Sequence, residues 1–108
     1  LCYTVLEACA DIADVAVGDV CSVKPLDRAT VTAMVETSGG RFLVVEDGIV
    51  QGGVGSAILE CLSGLDLPLK FKIMGIPDRF IEHGGAVQLR DRLGLNREGI
   101  VKAVQELV

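Results

Sequence analysis

The residues with the best claim to chemistry form one short run, Gln51-Gly52-Gly53-Val54-Gly55-Ser56, set between an apolar stretch and a helical pattern. Glycines in a strand-to-helix turn let backbone N–H groups approach an anion at the positive end of the helix. Gly53-x-Gly55 begins like a dinucleotide-binding turn, but Ile58 stands where the third glycine belongs, and no Gly-Lys-Ser/Thr follows. Two readings stay open: a tight turn with close helix-to-sheet packing, or a small anion cradle. Just upstream, Glu46 and Asp47 fall at the carboxyl end of an expected strand, where open α/β sheets place ligands. Neighbours on a strand face opposite ways, so the two are no acid–base pair; the expectation is a solvated strand end or a polar contact in an interface. The candidates are therefore Glu46, Asp47, Gln51, Gly52, Gly53, Gly55 and Ser56, as loop or interface residues. No catalytic, cofactor-binding or metal-binding residue is assigned.

Other chemistry is poorly served. His83 is the single histidine and has no companions at metal-ligand spacing. No Gly-x-Ser-x-Gly elbow occurs, and Ser56 reads as an ordinary helix start. Cys2, Cys9, Cys21 and Cys61 form no Cys-x-x-Cys pair, so they are expected to be buried, reduced thiols of a cytoplasmic protein. The net charge of −5 comes without a clustered Lys/Arg stripe, and the aromatics are only Tyr3, Phe42, Phe71 and Phe80. Nucleic acid is therefore not an expected partner, for want of both phosphate attraction and a base-stacking platform. The residues are 50% hydrophobic, with a mean hydropathy of +0.49, yet no apolar run approaches the ~20 residues of a membrane span. No membrane association is expected, and the apolar excess is assigned to a core, a partner interface, or both.

The elements that must position these residues follow from periodicity. The 108 residues suffice for one domain. Val5, Leu6, Ala8, Cys9 and Ile12 share a helical face within Thr4–Ala13. Val15 to Cys21 is Val-rich and reads as a strand ending before Pro25. Asp27 suits an N-cap for a helix through Val31, Met34 and Val35, which Gly39-Gly40 stops. Arg41–Glu46 is the clearest buried strand, with a loop expected from Asp47 to Gly53. A helix from Ala57 to Leu62 and a strand from Leu69 to Met74 come next, then a turn or irregular helix over Gly75–Phe80. Helices near Ala86–Leu93 and Arg97–Leu107 close the chain, the last capped by Asn96. The charged residues there, Arg90 among them, read as a solvated surface. Strands alternating with helices predict an α/β fold with a mainly parallel sheet, of which three strands are visible.

The order of segments carries more than any one motif. Val23-Lys24-Pro25-Leu26-Asp27 precedes Val45-Glu46-Asp47-Gly48 and Gly52-Gly53-Val54-Gly55-Ser56-Ala57; then come Gly75-Ile76-Pro77-Asp78-Arg79-Phe80-Ile81-Glu82-His83-Gly84 and Leu93-Gly94-Leu95-Asn96-Arg97-Glu98-Gly99-Ile100. This series resembles the last domain of the 1-deoxy-D-xylulose-5-phosphate synthases, within the transketolase-like thiamine diphosphate enzymes. The resemblance implies a three-layer α/β/α domain. It also implies a parent enzyme that decarboxylates pyruvate and joins the two-carbon fragment to glyceraldehyde 3-phosphate, for isoprenoid and thiamine synthesis. Thiamine diphosphate and Mg2+ would sit in the preceding catalytic domains of the same chain. A second subunit would complete a homodimer, and this domain would serve packing, with regulatory binding also proposed in the superfamily.

The Gly-Asp-Gly…Asn motif that holds the magnesium diphosphate in such enzymes has no match. Gly18-Asp19 is followed by Val20, and the only Asn is Asn96. No catalytic residue is carried over, and the fragment alone is expected to be inactive. The family domain has five strands, two of them before the helix at Thr4, so residues 1–108 are expected to be a single C-terminal domain incomplete at its N-terminal side. The rival readings are a free-standing small-molecule or anion-binding α/β domain, or the equivalent domain of a transketolase or 2-oxoacid dehydrogenase.

Overall fold

A computed structural model describes residues 2–20, 26–76 and 90–107. Its elements are α1 (Cys2–Cys9), α2 (Arg28–Thr37), β1 (Arg41–Ile49), α3 (Val54–Leu62), β2 (Lys70–Ile76) and α4 (Arg97–Leu107). β1 and β2 pair in parallel, Phe42 opposite Phe71 and Val44 opposite Ile73. A parallel pair cannot be joined by a hairpin, and α3 provides the crossover.

Alternation along β1 sorts its apolar run onto two faces. Phe42 and Val44 join Val35, Ile58 and Leu62 in a cluster under α2 and α3. Leu43, Val45 and Met74 join Ala8, Ile100 and Val104 under α1 and α4. Helices on both faces of a parallel sheet make the three layers, α/β/α. Both faces being covered explains why β1 reads as an uninterrupted apolar stretch. The Phe42 and Phe71 rings stack across the ladder at 5.4 Å.

The stops and starts of α2 are local. Asp27 Oδ1 accepts from the Thr30 N–H at 3.1 Å and Oδ2 from the Thr30 hydroxyl at 2.8 Å. Both bonds favour the ionised carboxylate and hold its pKa below the usual value. At the other end Gly39 and Gly40 have φ of 68° and 87°, the left-handed conformation that ends helices. Gly40 also ties helix to sheet: its N–H donates to the Val35 carbonyl and its carbonyl accepts from the Lys70 N–H, each at 2.9 Å. A Cβ there would collide with the Pro68 carbonyl.

Several expectations need correction. The described sheet has two strands, not three. Val15–Val20, expected as a strand, carries no ladder and is largely exposed; Cys21 lies outside the described residues. β1 runs to Ile49 and β2 to Ile76, so Asp47–Ile49 and Gly75-Ile76 are strand where loop and turn were expected. α1 stops at Cys9, and Leu6 is exposed on it, as is Tyr3. Cys2 is exposed and Cys9 and Cys61 are only half-buried; desolvation pushes the Cys9 thiol up. α3 starts three residues before the expected Ala57, at Val54. Pro77–Phe80 and the expected helix from Ala86 lie outside the described residues, save for helical residues 90–92.

Candidate functional site

The site grows out of an irregularity in β1. Val45 pairs with Met74 and Ile49 with Ile76, so four steps on β1 match two on β2. Glu46, Asp47 and Gly48 form the resulting bulge, a device that re-aims side chains at the end of a ladder. Gly75 faces it. A Cβ on Gly75 would lie 2.8 Å from Glu46 Cγ and 2.9 Å from the Gly48 carbonyl oxygen, so the bulge requires glycine on the opposite strand.

Glu46 and Asp47 diverge from there. Glu46 keeps the parity of Val44 and turns under α3, where it is only 6% exposed. Its Oε2 accepts from the Gly55 N–H at 2.9 Å. Gly55 lies in the first turn of α3, whose N-cap, Gly53, offers no side-chain acceptor. The Glu46 carboxylate thus caps α3 from the neighbouring strand and meets the positive end of its dipole. Asp47 points to solvent, where its Oδ2 is 2.6 Å from Arg90 Nη2 and its Oδ1 accepts from Arg90 Nε at 3.3 Å. Those hydrogen bonds raise the Arg90 pKa from its ordinary value. The expectation of a solvated strand end fails for Glu46, whereas Arg90 stays on the solvated surface and adds an ion pair with Asp47 that was not expected.

The glycine-rich run is a turn built for packing. The Val50 N–H donates to the Ile76 carbonyl at 2.9 Å and closes the ladder; the Gly53 N–H returns to the Val50 carbonyl at 3.3 Å. Gly52, third in this turn, takes the positive φ such turns need, 71°. Gln51 and Gly52 are exposed at the tip. The Ser56 hydroxyl donates to the Val50 carbonyl at 3.4 Å. Gly55 is buried against β2: a Cβ on it would lie 2.7 Å from Ile73 Cδ1 and Cγ2.

Of the sequence candidates, Glu46, Gly55, Gly53 and Ser56 converge around the start of α3, whereas Asp47, Gln51 and Gly52 face outward. Ile73, Gly75 and Arg90 complete the arrangement and were not among the candidates. Glu46 was legible in principle, since period-two alternation places it on the face of Val44. Arg90 lies 43 residues from Asp47, and no local spacing signals that pair.

These residues do not fit thiamine diphosphate. The Gly55 N–H at the start of α3 already holds the Glu46 carboxylate, which would repel a diphosphate there. Among the described residues, no three His, Cys, Asp or Glu side chains gather as metal ligands. No helix among them is long and apolar enough to cross a membrane.

Comparison with known proteins agrees with the fold. The model of the transketolase C-terminal domain family matches residues 1–100. The chain is 46% identical over 97 residues to the 1-deoxy-D-xylulose-5-phosphate synthase of Magnetococcus marinus, covering 87% of this chain and 15% of that protein. It is 42% identical over 99 residues to the same enzyme of Thermus thermophilus, covering 92% of this chain and 16% of that one. Among solved structures, a split-gene transketolase described as an inactive beta4 tetramer matches with a TM-score of 0.80 and 29% identity, over 97% of this chain and 35% of that chain. The chain thus spans only about 15% of the length of the curated relatives it matches.

Proposed function

The chain belongs to the transketolase C-terminal domain family, and from that premise we propose that it is the C-terminal assembly domain of a 1-deoxy-D-xylulose-5-phosphate synthase. The whole enzyme would convert pyruvate and glyceraldehyde 3-phosphate to 1-deoxy-D-xylulose 5-phosphate and CO2. Other domains of the polypeptide would hold thiamine diphosphate and Mg2+, in a cytoplasmic homodimer. This domain would contribute packing surface and no reacting group. The names of the relatives support the choice of reaction, since the matches at 46% and 42% identity are both synthases.

The observation that carries the division of labour is the Glu46 carboxylate seated on the Gly55 N–H. It supports reading Gln51–Ser56 as a joint between strand, helix and bulge rather than as a place for a substrate phosphate. The outward-facing Asp47, Gln51 and Gly52 are left as the contact surface of that joint, the role proposed for them here.

Replacing the matching segment of the Magnetococcus marinus synthase with this chain tests the proposal. The chimera is expected to form 1-deoxy-D-xylulose 5-phosphate from the two substrates, and the isolated chain to form none. A folded chimera that binds thiamine diphosphate but cannot turn over would count against the synthase assignment. Turnover by the isolated chain would overturn the assembly role.

A further inference from the structure

A second feature lies away from the Glu46 joint. A groove of about 530 Å3 runs between β2, the Val50-Gln51 turn, the turn at Leu93-Gly94 and the start of α4. Two glycines that disfavour a side chain are among its lining residues. Gly94 has a φ of 75°, and a Cβ on Gly99 would run into the Gly94 carbonyl. The turn is thereby pressed onto α4, and no side chain from either glycine fills the space above.

The groove pairs two chemistries. Met74 and Leu93 give it an apolar wall, and Lys72 and Lys102 bring positive charge; no Asp or Glu is among the described residues that line it. The chain as a whole carries −5, so two cations among the described lining residues, offset by Glu106 beside Lys72, run against the trend. Both lysines neighbour Glu106. Lys72 Nζ is 3.1 Å from Glu106 Oε2, and Lys102 is one turn of α4 before Glu106, so the two share a helix face. Glu106 neutralises part of the Lys72 charge, while Lys102 is exposed and makes no ion pair with any described residue. The Gly99 N–H is already taken by Asn96 Oδ1 at 2.9 Å. Recognition therefore falls to side-chain charge and apolar contact rather than to the helix end.

We propose that this groove binds a small organic anion, its phosphate or carboxylate head between Lys72 and Lys102 and a short hydrocarbon body against Met74 and Leu93. The site is independent of the synthase reading, since neither lysine belongs to the Glu46 joint. Glu106 acts as a competing internal anion that the ligand displaces from Lys72. Anions without an apolar body bind more weakly than those with one.

Titration of the isotope-labelled chain with n-hexyl phosphate, followed by amide NMR shifts, tests this. Hexanoate, inorganic phosphate and hexanol serve as parallel probes. Saturable shifts are expected at Ile73–Gly75, Gly94, Gly99 and Lys102 with hexyl phosphate or hexanoate, the better of the two identifying the head group. Inorganic phosphate and hexanol are expected to bind at least several-fold more weakly. Lys102→Gln should weaken the better probe about fivefold, the usual worth of one exposed charge. Glu106→Gln should tighten it by releasing Lys72. Lys70→Gln, an exposed lysine outside the groove, controls for net charge and should change little. The proposal is overturned by shifts that cluster at Gly52–Ser56 or nowhere, by equal effects of Lys70→Gln and Lys102→Gln, or by weaker binding in Glu106→Gln.

Discussion

Replacing Glu46 by Ala removes the one side-chain cap that the described residues give α3 at its first turn, and the cost can be worked from the geometry. The Gly55 N–H loses its 2.9 Å partner at a site where Glu46 itself is 6% exposed. An unpaired buried donor costs about 1–3 kcal/mol, and the lost charge at a partly buried helix start adds about 0.3–2 kcal/mol. The expected loss for Glu46→Ala is therefore about 2–4 kcal/mol. For a domain of this size each kcal/mol moves the melting temperature by roughly 4–8 °C, so a fall of about 8–32 °C should be seen by calorimetry or circular dichroism. Glu46→Gln keeps a carbonyl acceptor and loses only the charge, so it should cost about 1 kcal/mol. The order wild type, Gln, Ala is the signature of a hydrogen-bonded cap. Ala melting within about 0.5 kcal/mol of wild type, or Gln melting as low as Ala, would refute the capping role.

Three further outcomes follow from the packing and the caps. Gly55→Ala drives a Cβ to 2.7 Å from the Ile73 side chain, so it should destabilise by about 1–3 kcal/mol; Ile73→Ala in the same chain should recover part of that loss, and no recovery would place the strain elsewhere. Gly40→Ala combines a φ of 87° with a collision at the Pro68 carbonyl, and its melting temperature should fall further than that of Gly39→Ala, where a Cβ meets nothing within 4 Å. The Asp27 pKa is lowered in the fold by its bonds to Thr30, so its stabilisation is present above the unfolded carboxyl pKa and is lost as pH falls through the folded one. Asp27→Asn keeps the acceptor without the titration, and its stability should vary less with pH at the acid end than the wild type's; equal acid sensitivity would place the titration elsewhere.

How much of this was legible depended on whether the signal was local. The Asp27 cap, the Gly39-Gly40 stop and the strand over Arg41–Glu46 all act within a few residues, and each appears where the sequence places it, although only Val44 and Glu46 of that strand are buried and Phe42, Leu43 and Val45 are half-buried. The bulge at Glu46–Gly48 did not read from spacing, because it depends on Gly75 across the ladder as much as on its own residues. Glu46 was misread because a carboxylate at a strand end is usually solvated; its parity with Val44 was the overlooked clue. Val15–Val20 shows the opposite failure. Strand propensity describes fit to a neighbour on a pleated surface, and the described residues give this segment no ladder partner. The close approach of Gly55 to Ile73 was anticipated as helix-to-sheet packing, although its partner residue was not.

The central claim is that this chain supplies assembly surface to a thiamine-dependent enzyme and no part of its cofactor chemistry. Calorimetric titration of thiamine diphosphate with Mg2+ into the isolated chain, beside the same titration into the chimera with the Magnetococcus marinus synthase, tests that directly. The account predicts no saturable heat with the chain and stoichiometric uptake by the chimera. Stoichiometric uptake by the isolated chain would contradict it.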